Sequence, residues 1–188
     1  MNKLLCTFRK LGYVDNFNEE VITYGLQRIT ELLIDIFGAL LCGAIMGNFF
    51  VGFIFEFAYI PLRVYAGGYH ASNKKKCKYI SWGSMVGCMT IIFYVPLSVF
   101  VQHFLIVLSI LCVVKLSPVE SANKPLSKRE KQMFRKRSVL IMFGEVLIYC
   151  LFILFKFGIG AKTFCIANVL IAVGLCLGAG RGESNVLK

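Results

Sequence analysis

Charged residues are scarce in this chain of 188 residues: they make up 16% of the sequence, whereas 57% of the residues are hydrophobic. The mean hydropathy is +0.72, well above the usual value for a soluble domain. The shortage of charge excludes a soluble globular protein and leaves no room for a separate soluble domain. The sequence therefore predicts an integral membrane protein.

Histidine is also rare, with two residues, and none of the eight cysteines is spaced as CxxC. The sequence thus lacks the patterns typical of a zinc site or a disulfide framework. We predict no metal site and no cofactor. Seven cysteines lie in apolar segments, where a free cysteine is usually a small buried hydrophobic residue: Cys6, Cys42, Cys88, Cys112, Cys150, Cys165 and Cys176.

Long apolar stretches dominate the remainder of the chain. A helix needs about 20 residues to cross a hydrocarbon layer of about 30 Å. We predict an all-α fold, a polytopic membrane bundle of about six transmembrane helices, in a single membrane-embedded domain over 1–188. The predicted spans are 29–46, 49–65, 80–97, 98–115, 138–155 and 160–179.

The N-terminal segment has neither the apolar region nor the small-residue cleavage site of a signal peptide. Leu4, Leu5, Phe8 and Leu11 fall at helical spacing, with basic residues on the remaining surface. This pattern predicts an amphipathic helix in the membrane interface. It would lie in a cytoplasmic or interfacial segment, 1–28.

Lysine and arginine are concentrated in four segments: 1–28, 63–79, 115–137 and the C-terminal tail. Basic residues in short loops stay on the cytoplasmic side, and six spans place all four segments on one face. We expect a multi-pass protein of the cell membrane with both termini and both basic loops in the cytoplasm. The net charge of +11 is explained by this rule and by anionic lipid headgroups, so no nucleic-acid partner is predicted.

Cys77 differs from the other cysteines because four lysines flank it, and their positive charge favours an anionic sulfur. If Ser72 or Asn73 caps the following helix, the positive end of that helix adds to the effect. We call the four residues the lysine cluster: Lys74, Lys75, Lys76 and Lys78.

His70 lies seven residues before Cys77. One continuous helix would keep the two about 10.5 Å apart, which is too far for proton transfer. Gly67 and Gly68 give the chain the freedom to bend, so His70 is a candidate general base for Cys77. The same glycines could present backbone N–H groups to a developing oxyanion. A basic loop beside a membrane helix also arises as a topology signal alone, so the residues by themselves leave a noncatalytic protein open.

Polar residues recur inside the first two spans. Gln27, Glu31 and Asp35 are spaced every four residues and form one stripe, which should face the bundle interior because charge is costly in lipid. Arg63 and Glu56 share one face of the second span. We predict that Arg63 pairs with Glu31, Asp35 or Glu56 and so holds the 63–79 loop in place.

Two further function classes remain open at this stage. In a small transporter, intramembrane carboxylates would line an ion or proton path, and Cys77 would be dispensable. In a noncatalytic membrane scaffold, neither Cys77 nor His70 would matter. The carboxylates in question are Glu31, Asp35, Glu56 and Glu145.

Two stretches resemble those of the accessory gene regulator B family, the membrane cysteine endopeptidases of Gram-positive quorum sensing. The stretch 117–130, SPVESANKPLSKRE, is similar to the family's Pro-Val-Glu and Asn-Lys-Pro-Leu loop, and Gln27 in VITYGLQ also matches. The other stretch resembles the family's signature at Arg63, Gly67, Gly68, His70 and Cys77.

The resemblance implies that the protein cleaves a small precursor of an autoinducing peptide, the AgrD-like component, near its C-terminal part. Cyclisation to a thiolactone or lactone would follow. Cys77 would be the nucleophile, His70 the general base, and Gly67, Gly68 and Arg63 the supporting loop.

Partners follow from the same resemblance and from the charges. Membrane lipids are expected, and small residues such as Gly38, Gly43 and Gly47 would permit a homodimer. The basic 115–137 loop could attract an acidic peptide segment, although headgroup binding is the commoner role of such a loop. Candidates for binding the precursor are Gln27, Glu31, Lys124, Lys128 and Arg129.

Overall fold

The computed structural model of the chain describes residues 19–69, 74–120 and 126–186. Long helices cover most of these ranges, which contain no β-strand, so the predicted all-α fold is confirmed. The predicted N-terminal amphipathic helix lies outside the described residues. The helices are α1 (Glu19–Ile45), α2 (Phe49–Ala66), α3 (Lys74–Tyr94), α4 (Val99–Leu116), α5 (Lys128–Leu154) and α6 (Gly158–Val186).

Four of these helices are long and apolar enough to cross a membrane: α2, α4, α5 and the Gly158–Gly180 part of α6. The sequence predicts about six spans, and the other two helices are less apolar because they carry charge. Glu31 and Asp35 lie within α1, and α3 begins with the lysine cluster.

Helix α3 runs the length of the bundle in spite of its charge. Gly67, after α2, forms an isolated parallel bridge with Val119, after α4, so α2 and α4 finish at the same end, which we call the loop end. At the opposite end, the far end, the Lys162 ammonium near the start of α6 donates to the Ile92 carbonyl at 2.6 Å. Because Ile92 lies near the end of α3, this helix begins at the loop end and returns to the far end.

Helix α6 is the centre of the bundle and packs against α2, α3, α4 and α5. Phe164, Ile171 and Leu175 of α6 are at most 1% exposed. Removing an apolar side chain of this size from water stabilises a folded protein by about 1.5–3 kcal/mol. The facing side of α2 is buried along its whole length, at Val51, Phe55, Ala58, Leu62 and Ala66.

The outer surface of the bundle is apolar. Phe100 is 83% exposed, Leu140 74% and Leu154 72%. A continuous belt of large exposed apolar side chains is unstable in water but is what lipid tails require of a spanning helix. The chain is therefore a helical membrane bundle.

Contacts divide the chain into two units, Met1–Gly38 and Ala39–Lys188. The described part of the first unit is the N-terminal portion of α1. In the second unit, the remainder of α1 packs on α2 so closely that a Cβ at Gly43 would lie 2.9 Å from the Gly52 nitrogen. Gly43, which we expected to permit contact between copies of the chain, thus packs inside its own helix pair.

The predicted 63–79 loop is shorter than expected because both of its ends are helical. Helix α2 continues to Ala66 and α3 begins at Lys74, since lysine and arginine are good helix formers. The predicted N-terminal segment 1–28 likewise contains the start of α1, at Glu19.

The predicted basic loop 115–137 is helical over its second half. Ser127 caps α5 by accepting from the Glu130 N–H, while the Glu130 carboxylate accepts from the Ser127 N–H at 2.8 Å. This capping box satisfies two helix-end donors at once. Helix α5 therefore begins at Lys128 and carries the basic residues on its first turns.

Candidate functional site

The chain turns sharply at two glycines after α2. Gly67 and Gly68 have φ angles of 75° and 131°, a region that residues with a side chain rarely adopt. Helix α2 therefore ends at Ala66, and the next helix in the described part of the chain begins at Lys74. The bend that the sequence predicts at these two glycines is present.

The second motif packs directly against this glycine loop, Gly67–Tyr69. The Val119 N–H donates to the Ala66 carbonyl at 2.9 Å, and a Cβ at Gly67 would collide with the Val119 carbonyl. Glu120, the next residue, pairs with Lys131 of α5 at 2.7 Å. The structure thus brings together the two stretches that carry the family resemblance.

Helix α6 supports the glycine loop from the other side. The Tyr69 N–H donates to the Gly174 carbonyl at 2.8 Å, and a Cβ at Gly178 would lie 2.9 Å from the Gly68 carbonyl carbon. Sequence reasoning assigned no role to α6. The signal that could have found this contact is the GxxxG spacing of Gly174 and Gly178, which is typical of close helix approach.

Arg63, in the last turn of α2, holds the glycine loop through main-chain oxygens. Its guanidinium donates to the Tyr69 carbonyl at 2.8 Å and to the Gly67 carbonyl. A planar guanidinium can span two carbonyls that a lysine ammonium could not hold together. The predicted pairing of Arg63 with Glu31, Asp35 or Glu56 stays a prediction.

The two loop glycines differ in their availability as oxyanion donors. The Gly67 N–H already donates to the Arg63 carbonyl at 3.2 Å and completes the end of α2. Of the pair, Gly68 is the stronger candidate for the oxyanion role that the sequence predicts.

Cys77 lies in the first turn of α3, at the loop end of the bundle. Its thiol is free and half-buried, while Lys75, Lys76 and Lys78 around it are exposed. The aligned peptide dipoles add partial positive charge at the start of the helix. The site therefore combines an accessible sulfur with a positive environment. The candidate caps Ser72 and Asn73 lie outside the described residues.

His70 also lies outside the described residues, so the Cys–His dyad stays a prediction. The other histidine, His103, belongs to the far end. Its Nδ1 lies 2.6 Å from the Val99 carbonyl oxygen, and its ring packs edge-on against Tyr149 with 5.5 Å between centroids. Because the chain has two histidines, a histidine partner for Cys77 from this chain can only be His70.

A groove of about 550 Å³ opens beside the glycine loop. Ile80 lies three residues after Cys77, so the two share one face of α3. Cys77 itself does not line the groove, so an occupant would reach the thiol by extending about one turn of α3 beyond Ile80. The lining is mainly apolar and consists of Tyr69, Ile80, Cys176, Leu177 and Gly180.

The basic residues of α5 fall into two groups. Arg135 donates to the Val114 carbonyl at 3.1 Å, and Arg137 donates to the Tyr65 hydroxyl at 3.3 Å while lying 5.2 Å from that ring's centroid. These contacts fasten α5 to α4 and α2. The candidates Lys128 and Arg129 are exposed on the first turn, and Lys124 lies outside the described residues.

The polar stripe of α1 lies in the first unit. Gln27 is half-buried, and Glu31 is exposed and pairs with Arg28 at 2.9 Å. Two other acidic residues lie within the second unit, where Glu56 is 6% and Glu145 5% exposed. The residues that the structure describes contain no cluster of His, Cys, Asp and Glu that could hold a metal ion.

We expect Gly178→Ala to slow the precursor cleavage that the family resemblance implies about tenfold or more, since small misplacements of a catalytic loop are costly. A Cβ there would press on Gly68 and would also lie 3.0 Å from the Tyr69 nitrogen. Gly174→Ala is the matched control, because its Cβ would meet only Arg63, at an ordinary 3.7 Å. Turnover of precursor and melting temperature should be measured for both. Equal turnover in the two variants would contradict this role for α6.

Comparison with known proteins decides the family. The family model described as Accessory gene regulator B matches residues 2–178, nearly the whole chain. The chain belongs to the accessory gene regulator B family. The match includes α1 to α5 and most of α6, together with both loops that meet at the loop end.

Two relatives in Clostridium perfringens agree with this assignment. An AgrB-like protein of strain SM101 is 26% identical over 181 residues, covering 89% of this chain and 83% of its own length. AgrB-like protein 2 of strain 13 is 29% identical over 157 residues, covering 76% of this chain and 72% of its own length. No solved structure matches the chain. The family connects the chain with quorum sensing and with an AgrD-like precursor in general terms.

Proposed function

We propose that this accessory gene regulator B protein is a membrane cysteine endopeptidase that cleaves an AgrD-like precursor and promotes cyclisation of the released part. The observation that carries the proposal is the meeting of the two loops at the start of α3. There the glycine loop, the Val119 segment and α6 form a fixed platform, and the accessible Cys77 thiol lies among positive charges.

The first half of the reaction forms an acyl-enzyme. His70 accepts the thiol proton of Cys77, and the sulfur attacks the carbonyl carbon of the scissile peptide bond. Negative charge develops on the carbonyl oxygen, which a backbone N–H such as that of Gly68 would stabilise. The C–N bond then breaks, the imidazolium of His70 protonates the departing amine, and a thioester joins the precursor to Cys77.

The second half closes the ring. An internal cysteine thiol or serine hydroxyl of the bound precursor attacks the thioester carbonyl, and Cys77 leaves and regains its proton through His70. A thiolactone or a lactone results. Exchange of one thioester for another changes the free energy little, whereas forming a thioester from an amide raises it. Removal of the products therefore drives the two reaction steps forward.

Water must be kept from the thioester, since hydrolysis would release a linear peptide. The groove beside the glycine loop supports this requirement, because its lining is mainly apolar and Ile80 lies one turn from Cys77. An apolar part of the precursor that fills the groove would displace water at the reacting carbonyl. Lys128 and Arg129 remain candidates for binding an acidic part of the precursor or lipid headgroups.

The orientation follows from charge. The lysine cluster belongs to the start of α3 at the loop end. The contact between Arg137 and Tyr65 of α2 indicates that the first turns of α5 lie at the same end. Since clustered basic residues are retained in the cytoplasm, we place the loop end and both termini on the cytoplasmic side. The reaction would then take place at the inner leaflet.

A trapping experiment tests the proposal. The protein in lipid vesicles would be mixed with an AgrD-like precursor peptide, then quenched in acid and digested for mass spectrometry. We expect the N-terminal part of the precursor attached to Cys77 through a bond that hydroxylamine cleaves. Cys150→Ala, which removes an exposed thiol of α5, should give the same adduct. Cyclic product without any adduct at Cys77 would contradict the proposal.

A further inference from the structure

Two cysteines outside the proposed reaction touch each other. The sulfur atoms of Cys112 in α4 and Cys176 in α6 lie 3.8 Å apart, although the residues are 64 positions apart in the sequence. The structure describes Cys42, Cys77, Cys88, Cys150 and Cys165 as well, and it contains no other thiol–thiol contact among its described cysteines.

The pair lies between the two segments that support the glycine loop. Cys112 belongs to the last two turns of α4, the helix that leads into the Val119 segment. Cys176 lies midway between Gly174 and Gly178 in α6. A covalent bond between the two sulfurs would join both supports of the loop to each other.

Neither thiol is enclosed by the bundle, so a small reagent that permeates the membrane, such as hydrogen peroxide, can reach both. Cys176 is exposed and lines the groove beside Tyr69, and Cys112 is partly exposed. Cys165 provides a contrast, because it is fully buried and directs its thiol to the Gln102 carbonyl at 3.6 Å. Cys112 and Cys176 are therefore both accessible and close to each other.

We propose that Cys112 and Cys176 form an oxidisable pair that closes to an intramolecular disulfide between α4 and α6. With a peroxide as oxidant, the Cys176 sulfur attacks one peroxide oxygen, the O–O bond breaks and one water leaves, which produces a sulfenic acid. The Cys112 sulfur then attacks the Cys176 sulfur and the second water leaves. Two electrons pass from the two thiols to hydrogen peroxide, which is reduced to two waters.

The step needs only local movement. The sulfurs must approach from 3.8 Å to about 2.05 Å, which side-chain rotation and a small helix adjustment supply. Because Cys176 lines the groove, the bond also draws one lining side chain towards α4. The pair is thus a site where the redox state changes the surroundings of the glycine loop, whatever reaction the loop serves.

The test uses Cys77→Ser protein in lipid, so that the thiol of the proposed reaction cannot compete. After hydrogen peroxide and blocking of free thiols with a maleimide, peptide mapping should show Cys112 linked to Cys176 within one chain, and phosphine should reverse the link. Oxidation should raise the melting temperature by about 5 °C or more, since the link closes a long loop. The rise should persist in Cys77→Ser/Cys150→Ser and vanish in Cys77→Ser/Cys112→Ser.

A second probe leaves the pair unsubstituted. Phenylarsine oxide binds two neighbouring thiols at once and should protect both Cys112 and Cys176 from the maleimide. Protection of neither residue would overturn the proposal. It would also be overturned if peroxide produced only sulfinic or sulfonic acids at these positions, or only disulfides between two chains.

Discussion

Replacing Cys77 by alanine should reduce cleavage of the precursor at least about a thousandfold, because in the proposed mechanism the Cys77 sulfur forms the acyl-enzyme. The structure places this thiol in the first turn of α3, half-buried at the loop end. Single-turnover assays in vesicles, with mass detection of both peptide fragments, measure the effect. The melting temperature should change little, since a half-buried cysteine on a first turn contributes little to packing.

Controls for this prediction separate the three function classes. Cys150→Ala should cleave at the normal rate, because that thiol lies in the last two turns of α5, at the far end of the bundle. His70→Ala should lose about as much activity as Cys77→Ala. When two residues act as one catalytic unit, removing either of them costs about as much as removing both. A transporter would instead lose ion or proton flux in Glu56→Gln and remain indifferent to Cys77. A scaffold would tolerate both Cys77→Ala and His70→Ala.

Arg63→Lys should lower kcat about a hundredfold while changing KM much less. The guanidinium holds the Gly67 and Tyr69 carbonyls together, and a single ammonium cannot reproduce that fork. Loss of about 1 Å of precision in a catalytic loop costs about a hundredfold in rate. Steady-state kinetics at several precursor concentrations separate the two constants.

Arg28→Lys is the matched control for Arg63→Lys. Arg28 is exposed and pairs with Glu31 on the surface of α1, a kind of contact worth about 0–1 kcal/mol. Its replacement should leave kcat within about twofold of the original. If Arg63→Lys lowered the melting temperature strongly and left kcat intact, Arg63 would be a structural residue and not a positioning one.

Helix positions followed closely from the sequence, because hydropathy and helix length are local properties. The predicted span 49–65 became Phe49–Ala66, and 98–115 became Val99–Leu116. The ends of the basic segments were wrong in detail. The basic segments 63–79 and 115–137 are predicted as loops, whereas α3 and α5 begin within them, at Lys74 and Lys128. Lysine and arginine are good helix formers as well as polar residues.

The contacts of the glycine loop could not be derived in this way. The attraction of opposite charges predicts a carboxylate partner for Arg63, which stays a prediction, but it gives no sign of the hydrogen bonds that Arg63 donates to the Gly67 and Tyr69 carbonyls. Every residue except proline carries the same backbone donor and acceptor, so bonds such as Tyr69 N–H to the Gly174 carbonyl leave no trace in residue type. In the sequence, the GxxxG spacing of Gly174 and Gly178 indicates only that something packs closely on α6, and the fold shows that its partner is the glycine loop.

The sequence by itself determined that the protein is a membrane protein and which segments of the chain are helical. It also identified the thiol and the histidine that are candidates for catalysis. These conclusions rest on hydrophobicity, charge and residue chemistry, all of which can be assessed one segment at a time. The tertiary structure alone decided that the segments around Gly67, Val119 and Gly174 meet at one end of the bundle. It also decided that Cys112 touches Cys176. Such meetings depend on how helices distant in sequence pack together, and short-range patterns do not encode that choice.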